Sequence, residues 1–234
     1  MEITIIHGQG HRGSTYHISE EVINQIKSVD TVINEFFMPR DTPEYCVGCY
    51  NCIKKGEGYC PHEDKVQPII KAMERSQIVI IDSPTYCFEM TGQLKTFLDH
   101  LAYMWMSHRP NKDMFSKVGI VVSTAAGAGS KKVTKSLAQQ LFWLGFSKVY
   151  SINQNVNAAS WSEVSDKIKE KIRLKVNKTA LKVKKNLTTS KPNIKTKFMF
   201  LAMVGSQKMN NWNMIDKKYW EENGWLKKSR PWRK

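Results

Sequence analysis

Residues 77–86 read QIVIIDSPTY. One polar residue is followed by four β-branched apolar ones without interruption, then by Asp82 and a Ser-Pro-Thr-Tyr turn. A strand with one wet face alternates apolar and polar side chains, whereas an unbroken apolar run marks a strand covered on both faces, as in a parallel sheet. TGQLKTFLDHLAYMW at 91–105 follows with helical spacing, so this part of the chain predicts strand, turn and helix.

The same unit recurs on either side. EITIIH at 2–7 predicts a strand, GQGHRGST at 8–15 a glycine-rich loop, and YHISEEVINQIKS at 16–28 a helix, from the spacing of Ile18, Val22 and Ile26. TVINEFF at 31–37 reads as a second strand, followed by a cysteine-bearing loop and by a helix in EDKVQPIIKAMERS at 63–76. Downstream, KVGIVVSTAAGAGS at 117–130 is strand then glycine-rich loop, and KKVTKSLAQQLFWLG at 131–145 is a helix with Gly145 as its C-cap. SKVYSINQ at 147–154 supplies a fifth strand. From 162 to 187, Val164, Ile168, Ile172, Val176, Ala180, Val183 and Leu187 recur three or four apart, a long helix that can close the sheet. Such alternation predicts an α/β fold, a doubly wound five-stranded parallel sheet with helices on both faces. The flavodoxin-like order 2-1-3-4-5 and the dinucleotide-binding order are among the few topologies that handedness leaves. Residues 1–190 are read as one domain with a Cys-rich insertion at 44–62. Residues 191–234, with Trp212, Trp220, Trp225 and Trp232, form a basic helical, Trp-rich C-terminal extension, expected to dock on the core or on a partner subunit.

With 41% hydrophobic and 24% charged residues, the chain is expected to fold as a globular protein rather than stay disordered. The start, MEITIIHGQG, lacks the features of a secretory signal, and the longest apolar run, FMFLAMVG at 198–205, is far short of a membrane span, so the cytoplasm is the expected compartment, with no membrane partner. The net charge of +15 is unevenly placed: residues 1–110 hold 10 basic and 14 acidic side chains, residues 167–234 hold 20 and 4. No familiar nucleic-acid motif accompanies the basic part, so a solvated basic surface is expected and nucleic acid is not the expected partner. A binding role of the extension toward nucleic acid or an acidic partner is the alternative, and a lid or dimer arm over the site a milder one.

Doubly wound sheets bind ligands beyond the carboxyl ends of their strands, which singles out the loops after strands 1, 3 and 4. The first combines close-approach glycines with Gln9, His11, Arg12, Ser14 and Thr15 at the opening of a helix, an arrangement suited to a phosphate. The third holds Pro84, Thr85, Tyr86, Phe88, Glu89 and Met90, an aromatic composition suited to a flat ligand. The fourth adds Ser123, Ala125 and Gly127 with their small side chains and backbone donors.

CVGCYNCIKKGEGYCP at 46–61 holds Cys46, Cys49, Cys52 and Cys60. Two consecutive two-residue gaps, with a proline after the last cysteine, resemble the runs that wrap iron-sulfur clusters; a longer separation between pairs is usual for zinc, and free thiols in an ordered loop are the third reading. Cys87 is expected to be a small packing residue, and His7, His11, His62 and His100 to be structural or solvent-facing.

GQGHRGST, the SPTY loop leading into MTGQLKTFLDH, and the cysteine segment between them resemble the NADPH-dependent FMN reductase family of flavodoxin-like proteins, nearest its iron-sulfur flavoprotein branch. The resemblance covers about residues 1–190, and its most specific piece is Ser83, Pro84, Thr85 and Tyr86 with Gly92, Leu94, Lys95, Phe97, Leu98 and Asp99. Gln9 and Gly10 depart from it, standing where the family usually has Ser-Pro. The resemblance implies FMN held by the three loops, NAD(P)H as co-substrate, a small-molecule electron acceptor or a redox protein as partner, and a homodimer or homotetramer. It also implies a 4Fe-4S cluster on the four cysteines as the alternative to a cluster-free reductase. No catalytic side chain is assigned, because the flavin itself carries the hydride chemistry.

Overall fold

A computed structural model describes residues 1–187 and 191–233. In chain order the elements are β1 Glu2–His7, α1 Ser14–Ile26, β2 Val32–Phe37, α2 Asn51–Lys54, α3 Glu63–Arg75, β3 Ile78–Pro84, α4 Gly92–Asp99, β4 Val118–Ala125, α5 Ser130–Trp143, β5 Lys148–Asn155, α6 Asp166–Leu187, α7 Ile194–Lys208 and α8 Met214–Glu222. The strands form one parallel sheet in the order β2-β1-β3-β4-β5, the flavodoxin-like arrangement.

Alternation along each strand divides the core in two. Ile3 and Ile5 of β1, Ile78 and Ile80 of β3 and Ile120 of β4 point to the face covered by α1 and α6. Ile6, Val79, Ile81 and Val121 point to the other, under α3, α4 and α5. All seven residues of β3 except its last are fully covered, which is the burial that its unbroken apolar run anticipates.

Two helices differ from their sequence reading. The helix expected over 91–105 ends at Asp99, and a single 3-10 turn follows at Ala102–Met104. The His100 N–H reaches back three residues to the Phe97 carbonyl (3.1 Å), while its ring Nε2 donates to the Glu44 carbonyl at 2.8 Å, so a tertiary contact ends the regular helix. The closing helix starts at Asp166 rather than at 162, because the Glu163 carboxylate accepts from the N–H groups of Ala159 and Ser160 (3.1 and 3.4 Å) and holds a turn there. The boundary expected after residue 190 falls at residues 188–190, outside the described residues.

The extension docks on its own chain. Phe200 and Val204 of α7, Trp220 of α8 and Trp225 join Met106 and Phe115 in a third apolar cluster, with Trp232 against its edge. Trp220 is fully buried and its indole N–H donates to the His108 carbonyl at 2.5 Å, whereas Trp212 is 64% exposed. Among the described residues no helix is long and apolar enough to cross a membrane.

Gly145 caps α5 as expected. It has φ +97°, its N–H meets the Phe142 carbonyl (3.0 Å), and the Phe146 N–H reaches back to Leu141 (3.1 Å), the paired bonds of a Schellman turn. A Cβ there would stand 2.8 Å from the Phe115 ring, itself part of the cluster that receives the extension. Gly145→Ala is therefore expected to destabilise the fold by about 2 kcal/mol or more, from left-handed strain plus overpacking, read as a lowered urea midpoint with unchanged slope.

Candidate functional site

A cleft of about 280 Å³ opens at the carboxyl ends of β1, β3 and β4, where the direction of winding reverses. One wall is the loop between β1 and α1. Gly13, the N-cap of α1, has no side chain to satisfy the first N–H groups of the helix, and no acidic residue stands in its first turn. Those donors, with the hydroxyl of Ser14 beside them, face the cleft at the positive end of the helix dipole. The Thr15 hydroxyl pairs with that of Thr124 at 2.6 Å, tying the helix start to the end of β4.

The opposite wall is the loop after β3. Tyr86 and Glu89 exchange both backbone hydrogen bonds at 2.9 Å across a two-residue turn made by Cys87 and Phe88, whose φ values are +50° and +64°. Two non-glycine residues in left-handed conformation are costly and persist only where surroundings over-determine them. The turn is held from outside by Lys132 of α5 on the Glu89 carboxylate (2.5 Å), and Phe88 is left 59% exposed at the cleft's edge. Across the cleft, the Gln9 amide donates to the Tyr86 hydroxyl at 2.5 Å, joining the two walls.

The floor carries buried charge. His7 Nδ1 is 2.7 Å from Asp82 Oδ2 and its Nε2 is 3.0 Å from Glu35 Oε1, while the Ser19 hydroxyl donates to the same Asp82 oxygen at 2.7 Å. Carboxylates only accept, so the doubly protonated ring satisfies both contacts. Burial lowers the His7 pKa, but the hydrogen bonds and charges of Asp82 and Glu35 outweigh it and raise the value above 6.5. Phe37 stacks on the ring with centroids 4.5 Å apart.

Of the residues singled out in the sequence, Gln9, His11, Ser14, Thr15, Pro84, Thr85, Tyr86 and Ala125 line the cleft. Arg12 does not; its guanidinium lies 5.2 Å from the Tyr16 ring centroid instead. Phe88 and Glu89 sit outside it, Met90 is buried in the core, Ser123 bonds the Thr85 hydroxyl at 3.2 Å behind the wall, and Gly127 stands exposed. The sequence reading missed Tyr16, Asp82 and Thr124, and the segment after β5, where Val156, Ala158 and Ala159 complete the lining. It also treated His7 as merely structural, although the ring reaches the cleft. No described residue of the extension lines the cleft of its own chain.

The cysteines stand elsewhere on the edge, between β2 and α3. Cys46 and Cys49 are exposed, and Cys52 and Cys60 half-buried. The segment expected to be loop contains α2 and a 3-10 turn at Glu57–Tyr59. Burial raises the Cys52 thiol pKa, and repulsion from Cys60, Cys46 and Cys49 raises it further. Cys60 is raised by burial and by Cys49 and Cys46 in the same way, so the four thiols are electrostatic neighbours. Among the described residues, no group of three or more His, Cys, Asp or Glu stands at metal-ligating distances. His100 bridges the segment: with Nε2 donating to Glu44, its Nδ1 is the acceptor facing the Cys60 sulfur at 3.8 Å. Cys87, expected to pack, is exposed.

Residues 1–160 match the sequence model of the NADPH-dependent FMN reductases. The chain belongs to the NADPH-dependent FMN reductase family. An iron-sulfur flavoprotein of Clostridioides difficile is 34% identical over 139 residues, 57% of this chain and 59% of that protein. Another, from Archaeoglobus fulgidus, is 27% identical over 117 residues, 50% of each chain. This FMN reductase family member thus matches only 59% and 50% of those relatives' own lengths. Among solved structures, an NADH:FMN oxidoreductase in its apo form superposes with a TM-score of 0.56 at 17% identity, covering 82% of this chain and 94% of that one. An FMN-dependent NADH-azoreductase from Bacillus anthracis in complex with FMN gives a TM-score of 0.56 at 13% identity, covering 77% and 100%. At such identities the likeness is one of fold.

The His7 network gives this reductase-family fold a signed pH dependence. Because the folded state raises the His7 pKa, the stability from its charge is fully present below 6.5 and is lost as pH rises through the folded value. Thermal midpoints should fall through that window in the parent protein. In His7→Gln the curve should start lower and stay flat there; an unchanged slope would remove His7 from the account.

Proposed function

We propose that the protein is an FMN-dependent NAD(P)H oxidoreductase of the cytoplasm, working as a homodimer or homotetramer and reducing a flavin, a quinone or another small acceptor. The observation that carries this reading is the α1 N-terminus: uncapped donors, a Ser14 hydroxyl and no acidic neighbour, opening onto a cleft between two loop walls. That donor set fits the phosphate of FMN. Ser14 and the N–H groups of the first turn would hold the phosphate, and Thr85, Tyr86 and the strained turn beyond them would border the ring. FMN, when bound, accepts hydride from NAD(P)H and passes electrons onward. The chain's own part is to orient that ring, through the Gln9–Tyr86 contact and the Lys132 hold on Glu89, and to keep water from one of its faces. His7 keeps a proton beneath the cleft, offsetting the charge of Asp82. Exposed Ile194, Phe198 and Leu201 on α7, with Met209 just beyond its end, support self-association.

Gly13→Asp separates this reading from a structural one. An aspartate at an N-cap would satisfy the free N–H groups, so thermal stability should hold once the exposed His11 ring, whose Nε2 lies 2.9 Å from a Cβ at this position, swings aside, while its charge competes with phosphate. FMN affinity of the apoprotein, titrated by flavin fluorescence quenching, is expected to fall at least about tenfold, the equivalent of about 1.4 kcal/mol. Unchanged affinity would sink the assignment of this loop to the phosphate.

A second reading, an iron-sulfur flavoprotein acting in electron transfer, is favoured by four cysteines gathered on one short segment and by the names of the sequence relatives. The thiol chemistry fits a 4Fe-4S cluster, with Cys46, Cys49, Cys52 and Cys60 as its holders. Protein purified without oxygen should then contain about four irons and four sulfides per chain and a broad absorption shoulder beside the flavin bands. Flavin bands alone, with no iron, would leave the reductase reading.

A further inference from the structure

α2 spans only Asn51–Lys54, and the last carbonyls of so short a helix need partners from outside. The Cys52 carbonyl is taken by Arg109 Nη2, and the Ile53 carbonyl by Arg109 Nη1 at 3.1 Å together with the Asn213 amide at 3.1 Å. Arg109 lies on the segment between α4 and β4, and its side chain is 6% exposed. Asp216 of α8, 1% exposed, holds it through an ion pair, and its other oxygen holds His108 Nδ1 at 2.7 Å. Asn213 is also the N-cap of α8, accepting from the Ile215 and Asp216 N–H groups at 3.1 and 3.3 Å. One buried cluster therefore joins the start of α8 to the backbone of the third cysteine.

We propose that the C-terminal extension sets where the Cys52 sulfur stands, with Asp216 orienting Arg109 and Arg109 holding the Cys52 carbonyl. Both are positioning residues, acting on the thiol through the backbone. A backbone fixed in this way holds the Cys52 sulfur in one direction, which is what a ligand requires of the residues around it. The placement of Cys52 stands whatever the thiols hold; its consequence for iron rests on the cluster reading above.

The test uses full-length, reduced, metal-free protein and the variants Asp216→Asn and Arg109→Lys. Limited alkylation read residue by residue should show a several-fold change in the Cys52 rate in both variants. The rate at Cys87, which lies on the cleft loop, and the FMN affinity should stay at parental values. After anaerobic incubation with iron and sulfide, iron affinity of the variants should fall at least about tenfold, as when a ligand's supporting hydrogen bonds are lost. If the parent takes up no iron yet Cys52 changes as described, the cluster reading fails and the positioning role stands. If the parent takes up iron and the variants match it in both iron and Cys52 rate, the positioning role is overturned while the cluster reading survives. Equal acceleration at Cys52 and Cys87 means general loosening and also overturns it. Should either variant lose its cooperative thermal transition, Asn213→Ala, which removes the second donor to Ile53, is expected to change Cys52 in the same direction, and no change there counts against the proposal.

Discussion

A parallel sheet that is apolar on both sides has to be covered on both sides, and every strand must return to the same end before pairing again. Helices α1 and α6 take one face and α3, α4 and α5 the other. Only the carboxyl edge is then left open, and it parts where the winding reverses beside β1 and β3. The cleft, its polar loops and its uncapped helix end all follow from that one requirement of coverage.

Local rules are broken at that edge. The Cys87–Phe88 turn is left-handed without a glycine, and His7, Asp82 and Ser19 form a polar knot at the end of otherwise apolar strands. Each costs stability on its own. Together they are offset by the sheet's burial, and they keep in place groups that water would otherwise solvate singly.

The cysteine segment shows a different dependence. It is long, exposed and short of regular structure, so it has little means of fixing its own backbone. His100 grips its two ends, at Glu44 and Cys60, and Arg109 and Asn213 grip its middle. Arg109 is itself fixed by Asp216, and the helix carrying Asp216 is seated by Trp220 in the third apolar cluster. The extension thus adds the packing that the flavodoxin-like sheet does not provide on that side.

By itself the sequence determined the five strands, their parallel winding, the cleft-lining loops after the first, third and fourth, and the C-cap at Gly145. Those features are carried by neighbours along the chain, through periodicity, continuous apolar runs and turn residues, and neighbours are what a sequence displays. Eight of the fourteen expected cleft residues and the grouping of the four thiols were legible on the same terms, while the choice of the flavodoxin-like order over the dinucleotide-binding one came from the family resemblance. Only the tertiary structure decided that His7 meets Asp82, 75 residues away, or that Arg109 meets Asp216, 107 residues away. Likewise, Arg12 turned out to rest on Tyr16, and the segment after β5 to close the cleft, because the direction of a side chain depends on what the fold brings beside it. Buried charges find partners by proximity in space, and nothing in the local spacing of residues records that distance.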